Sequence, residues 1–146
     1  MNDFTEEEAN RYLDKLGFTQ DKNIRKFVFE KYGTRPSYLR DIAGSKLKPE
    51  EFIENQIEED KDKVKRCVQD DEKTLKLFEG IVKDEYNNGM NEGIAMDIMK
   101  LSTEKIADGP AVKGQHVLAY DIEKRRFKFH SNSMREATRR FIESNK

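Results

Sequence analysis

The chain has 146 residues, 39% of them charged and 35% hydrophobic, with a net charge of −1 and one cysteine. The lone Cys67 excludes an internal disulfide and a multi-cysteine zinc site and suggests a reducing compartment. No apolar run approaches the roughly 18–20 residues that a membrane-crossing helix needs, and the polar start Met1-Asn2-Asp3-Phe4-Thr5-Glu6 lacks a signal-peptide pattern, so a soluble, intracellular, non-membrane protein is expected.

Thr5 followed by Glu8 is a capping box, with Phe4 and Ala9 at staple positions. Ala9, Tyr12, Leu13 and Leu16 then form one apolar face, and Gly17 ends the first helix. A second helix is expected over 20–32, with Ile24, Phe27, Val28 and Tyr32 inward and Gly33 as the stop. Thr34 can cap a short third helix. Pro36 suits its first turn, where the missing N–H is not needed, and Tyr38, Leu39, Ile42 and Ala43 face inward ahead of Gly44. Pro49-Glu50-Glu51 opens a fourth helix, with Phe52, Ile53 and Ile57 as its stripe.

Residues 50–72 hold ten acids and four bases. They read either as a long exposed helix laced with pairs such as Glu59 with Lys63 or as a linker between subdomains. A fifth helix is expected over 72–86, with Leu75, Phe78, Ile81 and Val82 inward and Asn87-Asn88-Gly89 as its end. A sixth segment, 92–101, carries Ile94, Met96, Ile98, Met99 and Leu101 without a tidy period.

The period then changes. Val117-Leu118-Ala119-Tyr120 is strand-like, Asp121-Ile122-Glu123-Lys124 offers a turn, and Arg126-Phe127-Lys128-Phe129-His130 alternates polar with aromatic, which together predict one β-hairpin. Ser131 or Ser133 caps a last helix with Met134, Ala137, Phe141 and Ile142 inward. The expected fold is therefore mainly α. An N-terminal helical bundle over residues 1–68 precedes a winged-helix-like module with one β-hairpin over residues 69–146.

No catalytic constellation stands out. GxxxxGK[ST] and GxGxxG are absent, so no phosphate-cradling loop is visible, and the glycines fall at helix ends. His116 and His130 lie 14 apart without the further ligands of a zinc motif, which favours structural roles. Cys67 has no histidine nearby in sequence to act as its base. The acids are numerous, but none is singled out for a raised pKa; Glu6-Glu7-Glu8 is explained by a helix N-terminus, which favours negative charge. The expectation is a non-enzyme with no cofactor and no metal.

Two stretches carry a resemblance. Gly33-Thr34-Arg35-Pro36-Ser37-Tyr38-Leu39, a glycine-ended helix followed by x-Pro-x-x-Leu, resembles the lid subdomain of archaeal-type P-loop ATPases of the STAND group of the AAA+ superfamily. Tyr12-Leu13-Asp14-Lys15-Leu16-Gly17-Phe18 is similar to that lid's first helix. In the family a winged-helix domain follows the lid, and Val117-Leu118-Ala119-Tyr120-Asp121 and Phe127-Lys128-Phe129-His130-Ser131 are similar to its hairpin and strand end. The resemblance implies a lid and winged helix without the nucleotide-binding core. It sets Arg35 where a sensor-type residue of the lid could touch a nucleotide phosphate; the alternative is that Arg35 packs or caps locally.

Three functions compete. The resemblance implies a regulatory or interaction module, the C-terminal part of a larger ATPase, that couples nucleotide state to a protein partner or to the parent core. Charge suggests nucleic acid instead: residues 111–146 carry nine Lys/Arg against four acids, +5, leaving −6 on the other 110. Lys124, Arg125, Arg126 and Lys128 sit on the expected wing and Arg135, Arg139 and Arg140 on the last helix, where they could meet phosphates or another anionic partner. The recognition helix would fall within 102–115, which holds Lys105 and Lys113, no arginine, and the helix breakers Gly109-Pro110 and Gly114. An enzyme is the third reading, and the missing motifs count against it.

Overall fold

Each N-terminal helix begins where the sequence supplies an acceptor for its unpaired N–H groups. In the computed structural model, α1 spans Glu6–Lys15 and its capping box is complete: Thr5 accepts from Glu8 N while Glu8 accepts from Thr5 N. The Thr5 backbone N–H and, after it, the Thr5 hydroxyl hydrogen-bond to the Glu8 carboxylate and lower its pKa. Helix α2, Lys22–Lys31, is capped by Asp21, which accepts from Ile24 N. Helix α3, Pro36–Ala43, starts one residue later than a Thr34 cap requires. Arg35 takes the cap position without a side-chain cap bond, and Thr34 instead donates its hydroxyl to the Phe4 carbonyl at 2.6 Å while Phe4 N returns a bond to Thr34 O. The residues described are 3–69, 71–83 and 89–144.

Most of the acidic stretch is helical: α4 runs unbroken over Pro49–Val68. Lys63 reaches Asp60 at 3.9 Å, and Val64 and Cys67 supply a buried side that charge alone hides from a sequence reader. Helix α5 covers Glu72–Lys83; the expected end of this helix, Tyr86 with Asn87-Asn88, lies outside the described residues. Strand β1, Met90–Asn91, follows, then α6, Glu92–Met99, and α7, Thr103–Ala107. A single π-helical turn occupies Pro110–Gly114. Strands β2, Leu118–Asp121, and β3, Arg126–Phe129, form the hairpin, and α8 spans Asn132–Ser144. Ser131 is its cap, accepting from Met134 N, while the Ser133 hydroxyl donates to buried Asp60 at 2.6 Å.

The fold is mainly α, with eight helices and a three-stranded antiparallel sheet among the described residues. The chain divides into two units at Ile57/Glu58, inside α4 and ahead of residue 68. The first unit buries Ala9, Leu13, Val28, Phe29, Tyr32, Leu39, Ile42, Ile53 and Ile57. Leu16, expected inward, is exposed at the end of α1.

The second unit combines helices with the small three-stranded sheet. Its elements run α5, β1, α6, α7, β2, β3, α8, and the strand order β1-β3-β2 puts β3 in the middle. Met90 pairs with Phe127 and Leu118 with Phe129. Phe78, Leu77, Val117, Leu118 and Phe127, all fully buried, centre one core that includes Val64, Met90, Ala95, Ile106 and Met134. Gly89 enters β1 at φ +123°, and a Cβ there would lie 2.4 Å from the Phe127 carbonyl, so only glycine fits the approach.

Candidate interaction surface

The hairpin loop is residues 122–125, closed by the pair Asp121 and Arg126. Asp121 accepts from Lys124 N at 3.2 Å, and Arg125 adopts a left-handed φ of +52° to rejoin β3. Ile122 is 77% exposed at the tip. Lys124, Arg125 and Lys128 are exposed and make no ion pair among the described residues. Arg126 is half-buried and donates to the Gly89 carbonyl at 3.4 Å, so it also joins the hairpin to the residue before β1.

The helix arginines behave differently. Arg139 and Arg140 converge on Glu136, which is only 8% exposed: Arg139 pairs with it by two nitrogens and with Glu143 at 2.8 Å, and Arg140 reaches it at 3.2 Å. The bond to Glu136 and the neighbouring carboxylates hold Arg139 still more firmly in its charged form. Both are engaged at spacings of three and four residues, while Arg135, earlier on α8, makes no ion pair among the described residues. Six of the seven candidate cations therefore separate into an open set on the hairpin, Lys124, Arg125 and Lys128, and a set engaged by neighbours, Arg126, Arg139 and Arg140, while Arg135 belongs to neither.

The stretch 102–115, expected to hold a recognition helix, contains the short α7 and the π-helical turn, interrupted by Gly109-Pro110. Their exposed charges are mixed. Glu104 and Lys105 flank each other, and Lys113 is paired with Asp108 at 3.7 Å. The adjoining helix α6 has Ile94 and Met96 exposed, and Leu101 is exposed just beyond it. Glu92, first residue of α6, ties the hairpin to this corner. It accepts from the Tyr120 hydroxyl at 2.5 Å and from Thr103 at 3.3 Å, while its N–H donates to the Arg125 carbonyl at 2.9 Å. The bond to Glu92, aided by burial and its negative charge, pushes the Tyr120 phenol pKa up.

Arg35 in the first unit is fixed locally. Its guanidinium lies 4.8 Å from the Tyr38 ring centre, donates to the Tyr38 hydroxyl at 2.9 Å and approaches Asp3 at 3.4 Å. Tyr38 in turn stacks on Tyr32 at 4.8 Å, and Tyr32 meets Phe52 edge-on. The packing reading of Arg35 describes these contacts. Sequence reading missed the more connected cation, Arg25: it donates to the Gln20, Phe18 and Asn10 carbonyls and pairs with Asp14 at 2.7 Å. Asp14 and Arg25 lie on different helices, so no spacing rule connects them.

Cys67 is buried, and burial pushes its thiol up to about 11, a structural rather than reactive setting. No three His, Cys, Asp or Glu side chains gather as a metal centre among the described residues, and no described helix is long and apolar enough to cross a membrane. No family model, curated protein or solved structure matches the chain.

Proposed function

We propose that the chain is a non-catalytic interaction module whose second unit binds a protein partner through α6 and the α7 corner. In this reading it is the C-terminal lid and winged-helix part of an AAA+/STAND-type ATPase, coupling nucleotide state to that partner. The observation that carries the proposal is the make-up of the recognition corner. Exposed Ile94, Met96 and Leu101 accompany mixed charges, with Lys113 paired to Asp108, where a nucleic-acid reader would present cations. Exposed apolar side chains rimmed by mixed charge suit a protein surface.

A second reading, nucleic-acid binding, is favoured by one observation: Lys124, Arg125 and Lys128 project from the hairpin without ion pairs among the described residues. Three phosphate contacts give weak, salt-sensitive affinity without sequence choice. Fluorescence anisotropy of labelled duplex DNA, with wild type and a Lys124→Glu, Arg125→Glu, Lys128→Glu variant, separates the two. The protein-contact reading expects binding only at low salt, if at all. Micromolar or tighter binding at physiological salt that the triple variant loses would replace it with the nucleic-acid reading.

A further inference from the structure

The protein has two histidines, and the hairpin brings them together. His130 N donates to the Val117 carbonyl at 2.9 Å, continuing the β2–β3 pairing beyond its last strand residues, and the rings of His116 and His130 stand 5.8 Å apart between centres, tilted by 57°. His116 holds a left-handed φ of +55°, a conformation uncommon for a side chain of this size and informative where it occurs. Both backbones are anchored. Gln115 N donates to the Pro110 carbonyl at 2.7 Å, Val117 is fully buried and Phe129 nearly so.

With metal–nitrogen bonds of about 2.0–2.1 Å, an imidazole centre lies about 3.2 Å from its ion. Two rings sharing one ion then have centres about 5.2 Å apart at a tetrahedral angle and about 6.4 Å apart when opposed. The observed spacing falls inside that range. We propose that His116 and His130 together bind one divalent transition-metal ion, with water in its remaining positions. Two imidazoles with no thiolate suit Zn2+, whose tetrahedral angle the spacing approaches most nearly, and also Cu2+ and Ni2+ once the rings shift toward the right-angle or opposed arrangement those ions prefer; among the three Cu2+ binds most tightly. The anchored backbone lowers the ordering cost of bringing the rings to one ion. The site stands at the far end of the hairpin from the 122–125 loop, so it is separate from the Lys124, Arg125 and Lys128 surface.

The test is titration of the full chain with Cu2+, followed by its visible absorption and by electron paramagnetic resonance. The expected result is one Cu2+ per chain with two nitrogen ligands, weakening in acid as imidazole protonates. His116→Gln and His130→Gln should each lower affinity at least about tenfold, since disturbing only a metal's supporting residues costs that much. The Lys124→Glu, Arg125→Glu, Lys128→Glu variant should bind as wild type, and circular dichroism confirms that each variant is folded. Two independent ions per chain, or one ion whose affinity survives either histidine substitution, would overturn the shared site.

Discussion

The two units are held by different kinds of contact. In the first, the signals are local. Thr5, Asp21 and Pro36 start three helices within a few residues of where the caps and the proline lie. One half-buried arginine, Arg25, then gathers carbonyls from the α1–α2 loop and from α1 itself. In the second, the organising contacts are distant in sequence. The middle strand β3 pairs with β1 some 37 residues earlier, Phe127 with Met90, and Ser133 reaches back to Asp60. Local capping fixes where helices begin; only long-range pairing fixes which strand lies in the centre.

That contrast is sharpened first by Phe127→Ala. Phe127 is fully buried on the central strand, so its truncation should destabilise the second unit by about 3–5 kcal/mol. Urea unfolding followed by far-UV circular dichroism measures the loss, and hydrogen exchange should find the β2 and β3 amides opened most. A cost near that of a surface substitution would break the claim that β3 is the keystone.

Arg25→Ala is next. Its side chain is 13% exposed and serves three carbonyls and Asp14, so removing it should cost about 1.5–3 kcal/mol. Arg25→Lys should recover less than half, because a single ammonium cannot span the same set of acceptors. Full recovery by lysine would mean that charge, not the forked geometry, matters. Thr5→Ala tests the local side of the comparison. Loss of the capping box should cost about 1 kcal/mol in the same assay and fray α1 at its first turn.

The last effect is absent at neutral pH and confined to alkaline solution. Burial raises the Cys67 thiol from 9.0 to about 11, so the folded state holds its proton more tightly than the unfolded state does. The stability this contributes is complete below pH 9 and is lost as pH rises towards about 11, where the unfolded chain is first to ionise. Cys67→Ala should lessen the alkaline decline in the urea midpoint, leaving the part that the raised Tyr120 phenol contributes. An identical decline in both proteins would assign it to other groups.

The same contrast explains what was legible in the sequence. The mainly α class, the capping box, the Pro36 start and the β2–β3 hairpin follow from neighbours, and all are present. Strand β1 was missed because two residues, Met90-Asn91, carry no period; they become a strand only because Arg126 and Phe127 lie opposite. The helical state of 50–72 is only half legible because beyond Ile53 and Ile57 its buried side continues through Asp60, Val64 and Cys67, scattered among many charges. At the candidate surface, the cations were visible but their engagement was not. Lys124, Arg125 and Lys128 stand clear of ion pairs among the described residues, whereas Arg139 and Arg140 are drawn onto Glu136. The pairing at spacings of three and four was in the sequence; the burial that makes Glu136 their common anchor was not.

The central claim is that the second unit meets a protein through α6 rather than a nucleic acid through the hairpin. It is tested most directly by placing a photo-crosslinking amino acid at Ile94 in one full-length protein and at Lys124 in another, then irradiating each in its native cells. The account predicts a discrete, protease-sensitive adduct from Ile94 that a Leu101→Glu substitution removes. A nuclease-sensitive adduct from Lys124, with none from Ile94, would contradict it.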